Sequence, residues 1–398
     1  MEEHTVLLKF FTDVGYHLSV ILFSNGLIIS LFSRKSAEII PKSSGIETEG
    51  SPYPPLLYAD GHLGVPEDIL YKSYISTCKT FRSIPSDSLS QMSVDGIIRL
   101  LAQTAIILLA TPAHDTALNC RKLLLLSNKS AHTYEDELRF TACLLGNKPA
   151  SKSSLLWHHR RWILRRLHKP PQEDPDNRTD SLINYPLPIS MIETEFSLVS
   201  CAAEVYPRNY HAWLHRFLCS ECLVSMAVQK IPGSNIALVK ELDSSRRWVE
   251  LHVSDYTSMS YFAKLLSKVH GIHKTGNLAV SISSIFQETL SSPPEYLMHY
   301  SNHPAILHAL SLVVSYPTHQ SLWLYLRLID GLYDTTIENY GFIRKILLDL
   351  KPTTNEASSD IGKELRKQLR TEDELQMVMR EVQRFIAWKH FSVSFLLW

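Results

Sequence analysis

Glycine is scarce in this chain, with 14 among 398 residues. Barrels and turn-rich sandwiches spend glycine at their tight turns, so the shortage points to helices. Cysteine is sparse as well. The six, Cys78, Cys120, Cys143, Cys201, Cys219 and Cys222, show no disulfide framework, which suits a reducing, cytoplasmic setting. Neither sign of charge dominates, because Lys plus Arg and Asp plus Glu each number 40. No global field then draws the chain to nucleic acid or to an anionic membrane, and no nucleic-acid partner is expected. The apolar run from Leu18 to Phe32 is broken by Asn25-Gly26, and extension toward Phe10 brings in Asp13 and His17. It falls short of the roughly 20 apolar residues of a membrane span, so none is expected. The opening Met1-Glu2-Glu3 lacks the basic start of a signal peptide. P-loop, dinucleotide fingerprint and G-x-S-x-G elbow are all missing. Cys219-x-x-Cys222 has zinc-ligand spacing but no second pair nearby, and His158 and His159 diverge by about 100° on a helix. The chain is expected to hold no metal and no cofactor of its own.

What is present is helical punctuation. Breaker-rich stretches lie at Pro41 to Pro55, Pro170 to Pro188, Ile231 to Asn235, Ser291 to Pro294 and Lys351 to Asp360. Near the C-terminus, Thr371 and Glu374 form a capping box ahead of Leu375, Val378, Met379, Val382, Phe385 and Ile386, one apolar stripe on one helix face. The expected organisation is an N-terminal segment over 1–55, a helical repeat domain over 56–335 and C-terminal helices over 336–398.

Internal repetition supplies the architecture. Pro207-Arg208-Asn209-Tyr210-His211-Ala212-Trp213-Leu214-His215-Arg216 reads P-x-N-Y-x-x-W-x-x-R, and Trp157-His158-His159-Arg160 repeats its W-x-x-R core. Weaker copies run from Pro112 to Arg121 with Leu118 in the Trp place, from Asp255 to Phe262 with Met259 there, and from Pro317 to Trp323. These positions, Leu118, Trp157, Trp213, Met259 and Trp323, stand 39, 56, 46 and 64 residues apart, room for a helical hairpin plus insertions. A hairpin leaves an apolar face open until a neighbour stacks on it, so the copies predict an all-α fold, an α-α superhelix or solenoid of helical hairpins. The Arg lies on the Trp face and can fork onto a carboxylate of an adjacent hairpin, with Glu137 and Glu195 as candidates. Trp157, Trp213, Arg160 and Arg216 then read either as glue between hairpins or as contacts to a partner. The run Arg160, Arg161, Arg165, Arg166 and Lys169, interleaved with Trp162, Ile163, Leu164 and Leu167, reads as a core-facing helix or as a basic rim for a diphosphate or an acidic partner.

These copies, and Trp157-His158-His159-Arg160-Arg161-Trp162 above all, resemble the α-subunit repeats of protein farnesyl- and geranylgeranyltransferases. Further matching stretches are Leu118-Asn119-Cys120-Arg121-Lys122, His252-Val253-Ser254-Asp255, Ser315 to Trp323, and Leu56-Leu57-Tyr58 to Leu63-Gly64-Val65, so the likeness runs from about Leu56 to about Asp330. The resemblance implies a crescent of hairpins around a separate β subunit, of the Rab geranylgeranyltransferase type with which related chains are thought to pair. That β subunit would hold zinc and the isoprenoid cavity, and the pair would act on an isoprenoid diphosphate and a protein substrate with a C-terminal cysteine. By the same likeness, Trp157, His158, His159, Arg160, Asn209, Tyr210, His211, Trp213, Arg216 and Trp323 form the repeat motif and β-subunit interface. Lys152, five residues before Trp157, stands where the family's lysine reaches the diphosphate; Ser153 and Ser154 replace the family's Asn and Tyr beside it. Its other reading is a solvated lysine at a helix start. A repeat scaffold that keeps the shape without the enzymology is the alternative function.

Overall fold

The computed structural model describes residues 37–41, 56–59, 62–81, 92–127, 132–170, 180–276, 280, 285–286, 297, 303–332 and 360–396. The apolar run Leu18 to Phe32 and the breaker Ser291 to Pro294 lie outside them, as do most of the stretches Pro41 to Pro55 and Lys351 to Asp360. The chain divides into two compact units, Met1–Cys222 and Leu223–Trp398.

The first unit opens on a small sheet that sequence periodicity does not announce. Strands β1 (Ala37–Ile40), β2 (Leu57–Ala59) and β3 (His62–Pro66) take the order β1-β3-β2, with β1 parallel and β2 antiparallel to β3. At three to five residues each they are too short for alternation to register. Gly64 sits in the middle, opposite both Glu38 and Leu57. A Cβ there would come within 2.6 Å of Ile40 Cδ1 and 3.1 Å of Leu57 Cβ, so the central strand needs a residue without a side chain.

All else described in regular structure is helical, and the fold class is all-α. The first unit continues with α1 (Glu67–Phe81), α2 (Val94–Ala110), α3 (Asp115–Leu126), α4 (Tyr134–Leu145), the single turn α5 (Lys148–Ser151), α6 (Ser154–Leu167), α7 (Ile189–Val205) and α8 (Tyr210–Val228), which runs across the division. The second holds α9 (Ser234–Leu251), α10 (Tyr256–Lys274), α11 (Pro304–Ser315), α12 (Gln320–Asp330), α13 (Asp360–Gln368) and α14 (Glu372–Leu396). Neighbours in sequence pack on one another: α1 on α2, α2 on α3, α4 on α6, then in the second unit α9 on α10 and α11 on α12. Helix α2 buries Ala105 to Leu109 without a break, as a helix enclosed on all sides must. At the other end, the Thr371 hydroxyl accepts from Glu374 N at 3.2 Å while the Glu374 carboxylate accepts from Thr371 N at 3.2 Å, closing the capping box. Val378, Val382 and Phe385 of α14 are buried in line with its stripe. Among the described residues no helix is long and apolar enough to cross a membrane.

Candidate functional site

Four of the five repeat copies start with a capping side chain, though the residue differs; His319 at the start of α12 makes no such bond. His114 Nδ1 accepts from Ala117 N at 3.2 Å, Ser153 Oγ from Leu156 N at 3.4 Å, Asn209 Oδ1 from Ala212 N at 3.2 Å, and Asp255 Oδ1 from Thr257 N at 3.0 Å. Four residues on comes the Trp position, and Leu118, Trp157, Trp213, Met259 and Trp323 are all 3 % exposed or less. Two of the indoles reach back six residues: Trp157 Nε1 donates to Ser151 O at 2.7 Å and Trp323 Nε1 to Pro317 O at 2.8 Å. These side chains fill grooves between helices of this chain.

Three residues past the Trp position the first three copies carry Arg, and all three do the same work. Arg121 Nη1 donates to Leu101 O (3.0 Å) and Thr104 Oγ1 (2.9 Å), Arg160 Nη1 to Leu138 O (2.6 Å) and Thr141 Oγ1 (2.8 Å), and Arg216 Nη1 to Phe196 O (2.7 Å) and Ser200 Oγ (2.9 Å). Each thereby grips the helix before its own. The rest of the guanidinium turns to the helix that follows: Arg121 forks onto Glu137 at 2.8 and 2.6 Å, and Arg160 onto Glu195 at 2.6 and 2.8 Å. Of the two carboxylates that the sequence offers Arg160, Glu195 is the one it takes.

In the four copies after the first, the residue two past the Trp position completes the junction from the other side. His159 Nε2 lies 2.8 Å from Glu137 Oε1 and His215 Nε2 2.8 Å from Glu195 Oε2. An ionised carboxylate only accepts, so Nε2 is the donor in both. Tyr261 OH donates to Glu241 Oε1 at 2.6 Å, and Tyr325 OH meets His308 Nδ1 at 3.1 Å. Burial opposes the charge on Glu137 and Glu195, but the adjoining Arg and His groups outweigh it. Glu137 is held well below the usual carboxylate range and Glu195 is brought down to about 2. Burial in turn pushes His159 and His215 below the ordinary imidazole value, against the pull of their carboxylates.

The motif residues thus separate into two groups. Trp157, His159, Arg160, Asn209, Trp213, Arg216 and Trp323 are buried within the chain, where they join its own helices. Lys152 and Tyr210 are exposed, with His158 and His211 half-buried, at the starts of α6 and α8. Lys152 caps the end of α5, next to the Ser151 carbonyl that also accepts from Asn209 Nδ2 at 2.7 Å, and its ammonium lies 5.6 Å from the centre of the Tyr206 ring. The Tyr210 and His211 rings meet edge-on at 5.4 Å. Burial and then the Arg161 charge lower the His211 pKa.

Sequence reasoning did not single out Asp180, which binds the outer face of α6. Its Oδ1 is 2.8 Å from His158 Nδ1 and its Oδ2 2.6 Å from Arg161 Nη2. Cys219 and Cys222 are buried in α8; Cys219 Sγ lies 3.7 Å from His215 Nε2, and Cys222 Sγ donates to Tyr185 O at 3.4 Å. Burial raises both thiols, Cys222 to about 11, so they sit there as protonated groups. Among the described residues no group of three or more His, Cys, Asp or Glu is placed to hold a metal ion.

Residues 192–223, from within α7 to within α8, match the family of the protein prenyltransferase alpha subunit repeat. The chain therefore carries such a repeat, and it spans the Glu195–His215 pair. The chain is also similar to protein prenyltransferase alpha subunit repeat-containing protein 1 of Danio rerio, 29 % identical over 236 residues that cover 56 % of this chain and 52 % of that protein. The Homo sapiens protein of the same name is 29 % identical over 247 residues, 57 % of this chain and 58 % of its own length. The Xenopus laevis form 1-A is 30 % identical over 257 residues, 58 % and 55 % respectively. The chain thus spans little more than half the length of the relatives it matches.

Proposed function

We propose that this chain, which carries the prenyltransferase alpha repeat, is the α-type subunit of a heterodimeric protein prenyltransferase. In this reading a β subunit, of the Rab geranylgeranyltransferase kind, supplies zinc and the isoprenoid cavity, and the pair transfers a farnesyl or geranylgeranyl group to a cysteine near the C-terminus of a protein substrate in the cytoplasm. The observation that carries it is the division within the motif: the large residues lock hairpins internally, while Lys152 and Tyr210 are exposed and His158 and His211 half-buried. A fixed ammonium at Lys152 would stabilise charge gathering on the departing diphosphate, the interaction that strengthens as the bond breaks. The buried, protonated thiols of Cys219 and Cys222 do not fit a zinc site, so metal chemistry falls to the partner.

The test is reconstitution with a β-type subunit identified by affinity purification of the full chain. Lys152→Ala should lower turnover of the complex by roughly 10- to 1000-fold with assembly preserved. The chain alone should transfer no prenyl group, and zinc-dependent transfer by the isolated polypeptide would overturn the heterodimer. Assembly without any transfer would support the second reading, a helical-repeat scaffold, which the replacement of Asn and Tyr by Ser153 and Ser154 favours.

A further inference from the structure

Around Asp180, one face of α6 gathers a cluster whose two arginines prenyl transfer leaves unused. His158, Arg161 and Arg165 stand three and four residues apart, so they line one face of the helix. All three converge on Asp180: His158 Nδ1 on Oδ1 at 2.8 Å, Arg161 Nε and Nη2 on Oδ2 at 3.1 and 2.6 Å, Arg165 Nη2 on Oδ1 at 3.6 Å. From α3, Lys122 adds a further cation, near enough that the Arg165 and Asp180 charges both act on it along with Asp115. The Arg161 charge also acts on His211 in α8.

Two features of this cluster do not look like a finished structural ion pair. Arg161 is almost wholly buried, with 6 % of its side chain exposed, yet its Nη1 has no hydrogen-bond acceptor among the described residues. Asp180, by contrast, is 34 % exposed, so the anion that fills the cluster sits at its solvent side. A single carboxylate offers two oxygens to three converging side chains and leaves the buried Arg161 Nη1 without an acceptor among the described residues. A phosphoryl group offers three oxygens and up to two charges, the better complement for planar guanidinium forks.

We propose that the α6 face is a phosphoryl-binding site, with Asp180 as an internal carboxylate occupying it until a phosphate dianion displaces it. The phosphoryl group has two sources with the same chemistry, a free phosphate or diphosphate and a phosphorylated protein side chain. The site is complete in this chain and needs no β subunit, so its failure and the failure of the prenyltransferase reading are separately visible.

The experiment uses the full-length chain, titrated with inorganic phosphate in a calorimeter and followed by thermal melting against chloride at equal ionic strength. Asp180→Asn removes the competing charge while keeping a similar shape. It should bind inorganic phosphate about tenfold or more tighter than the unaltered chain, and phosphate should raise its melting temperature where chloride does not. Adding Arg161→Gln and Arg165→Gln should abolish both effects. Should Asp180→Asn fail to fold, Arg165→Gln alone in the native background should lose the weaker binding of the unaltered chain. Equal phosphate affinity with and without Asp180, or binding that survives loss of both arginines, would make Asp180 a structural pin and overturn the proposal. Inorganic diphosphate and a phosphoserine peptide, run as parallel ligands, tell the two sources apart by which binds tighter.

Discussion

In the first unit the residue three past the Trp position is Arg121, Arg160 or Arg216; all three hold the helix before their own, and Arg121 and Arg160 also fork onto a carboxylate of the helix that follows. In the second unit that residue is Phe262 or Leu326, and no guanidinium enters the junction at that place. Phe262 is fully buried instead, with the Tyr325 ring stacked 6.3 Å away and Phe286 at the same distance. The helix that would have offered a carboxylate offers His308, which pairs with Tyr325 on one nitrogen and with Glu250 on the other, 3.1 Å each. Loss of the Arg and loss of its Glu therefore go together. What both units retain is a hydrogen-bonding residue two past the Trp position, His159 and His215 in one and Tyr261 and Tyr325 in the other, because a buried polar group on the facing helix must still be satisfied. The same hairpin contact is thus built once from charge and once from aromatic packing. Burying an ion pair gains little over well-packed apolar groups, but losing half of one is expensive.

That asymmetry makes the largest predicted difference. Glu195→Ala strands the Arg160 guanidinium in a dry junction and deprives His215 of its partner, and should cost about 3–5 kcal/mol in urea or guanidinium denaturation of the full chain. Tyr261→Phe in the second unit removes one hydrogen bond to Glu241, whose Oε1 keeps the Ser245 hydroxyl at 3.0 Å, and should cost only about 1–2 kcal/mol. Similar losses from the two substitutions would mean that both units are held by packing alone.

Much of this arrangement was legible beforehand, and the part that was not has identifiable causes. The W-x-x-R spacing could be read because Trp is rare and large, and Glu195 was a named partner for Arg160. Glu137 was also named, but it belongs to Arg121, whose own copy carries Leu118 where the Trp should be. The role of the residue two past the Trp position is visible in Trp157-x-His159 and Trp213-x-His215; it is concealed elsewhere because Tyr261 and Tyr325 supply the same hydrogen bond from a different side chain. The sheet was missed because its strands are shorter than the window in which alternation can be counted. Asp180 is concealed for another reason: it reaches Arg161 from 19 residues away, from within the breaker-rich stretch after α6, and no helical period connects the two.

Acid should sharpen the comparison at a smaller scale. His159, His215 and His308 all sit below the ordinary imidazole value of about 6.5, because burial disfavours their charged forms. Below that pH the unfolded chain takes up protons that the folded chain refuses, so stability falls as the pH drops under about 6.5. Glu137 and Glu195 add a second loss: their stabilising charge is fully present above the unfolded value of about 4.3 and disappears as the pH falls toward their lowered folded values. The first unit holds two of the three imidazoles, and His215→Gln should therefore flatten the decline between pH 7 and pH 5.5 by about 1 kcal/mol in denaturation midpoints converted to free energy. A steeper decline in His215→Gln would show that His215 is already protonated at neutral pH, as a charged partner for Glu195 rather than a neutral donor to it.

The smallest expected effect on stability belongs to the residue with most at stake for function. His211 follows Tyr210 at the start of α8, where Ala212, Trp213, His215 and Arg216 take the buried face and leave His211 half-covered. It makes its ring contact with the exposed Tyr210, so its loss opens no cavity in the hairpin stack. His211→Ala should shift unfolding free energy by no more than about 0.5 kcal/mol, the range of substitutions outside the core. If the outward edge of the motif is where a β-type subunit docks, the same substitution should weaken assembly measurably while Tm stays put, since interface side chains act on association and leave the free subunit alone. A His211→Ala chain that melts several degrees lower and assembles normally would reverse the assignment. His211 would then join Trp213 as glue, and the partner-facing edge would have to be sought at Lys152 and His158.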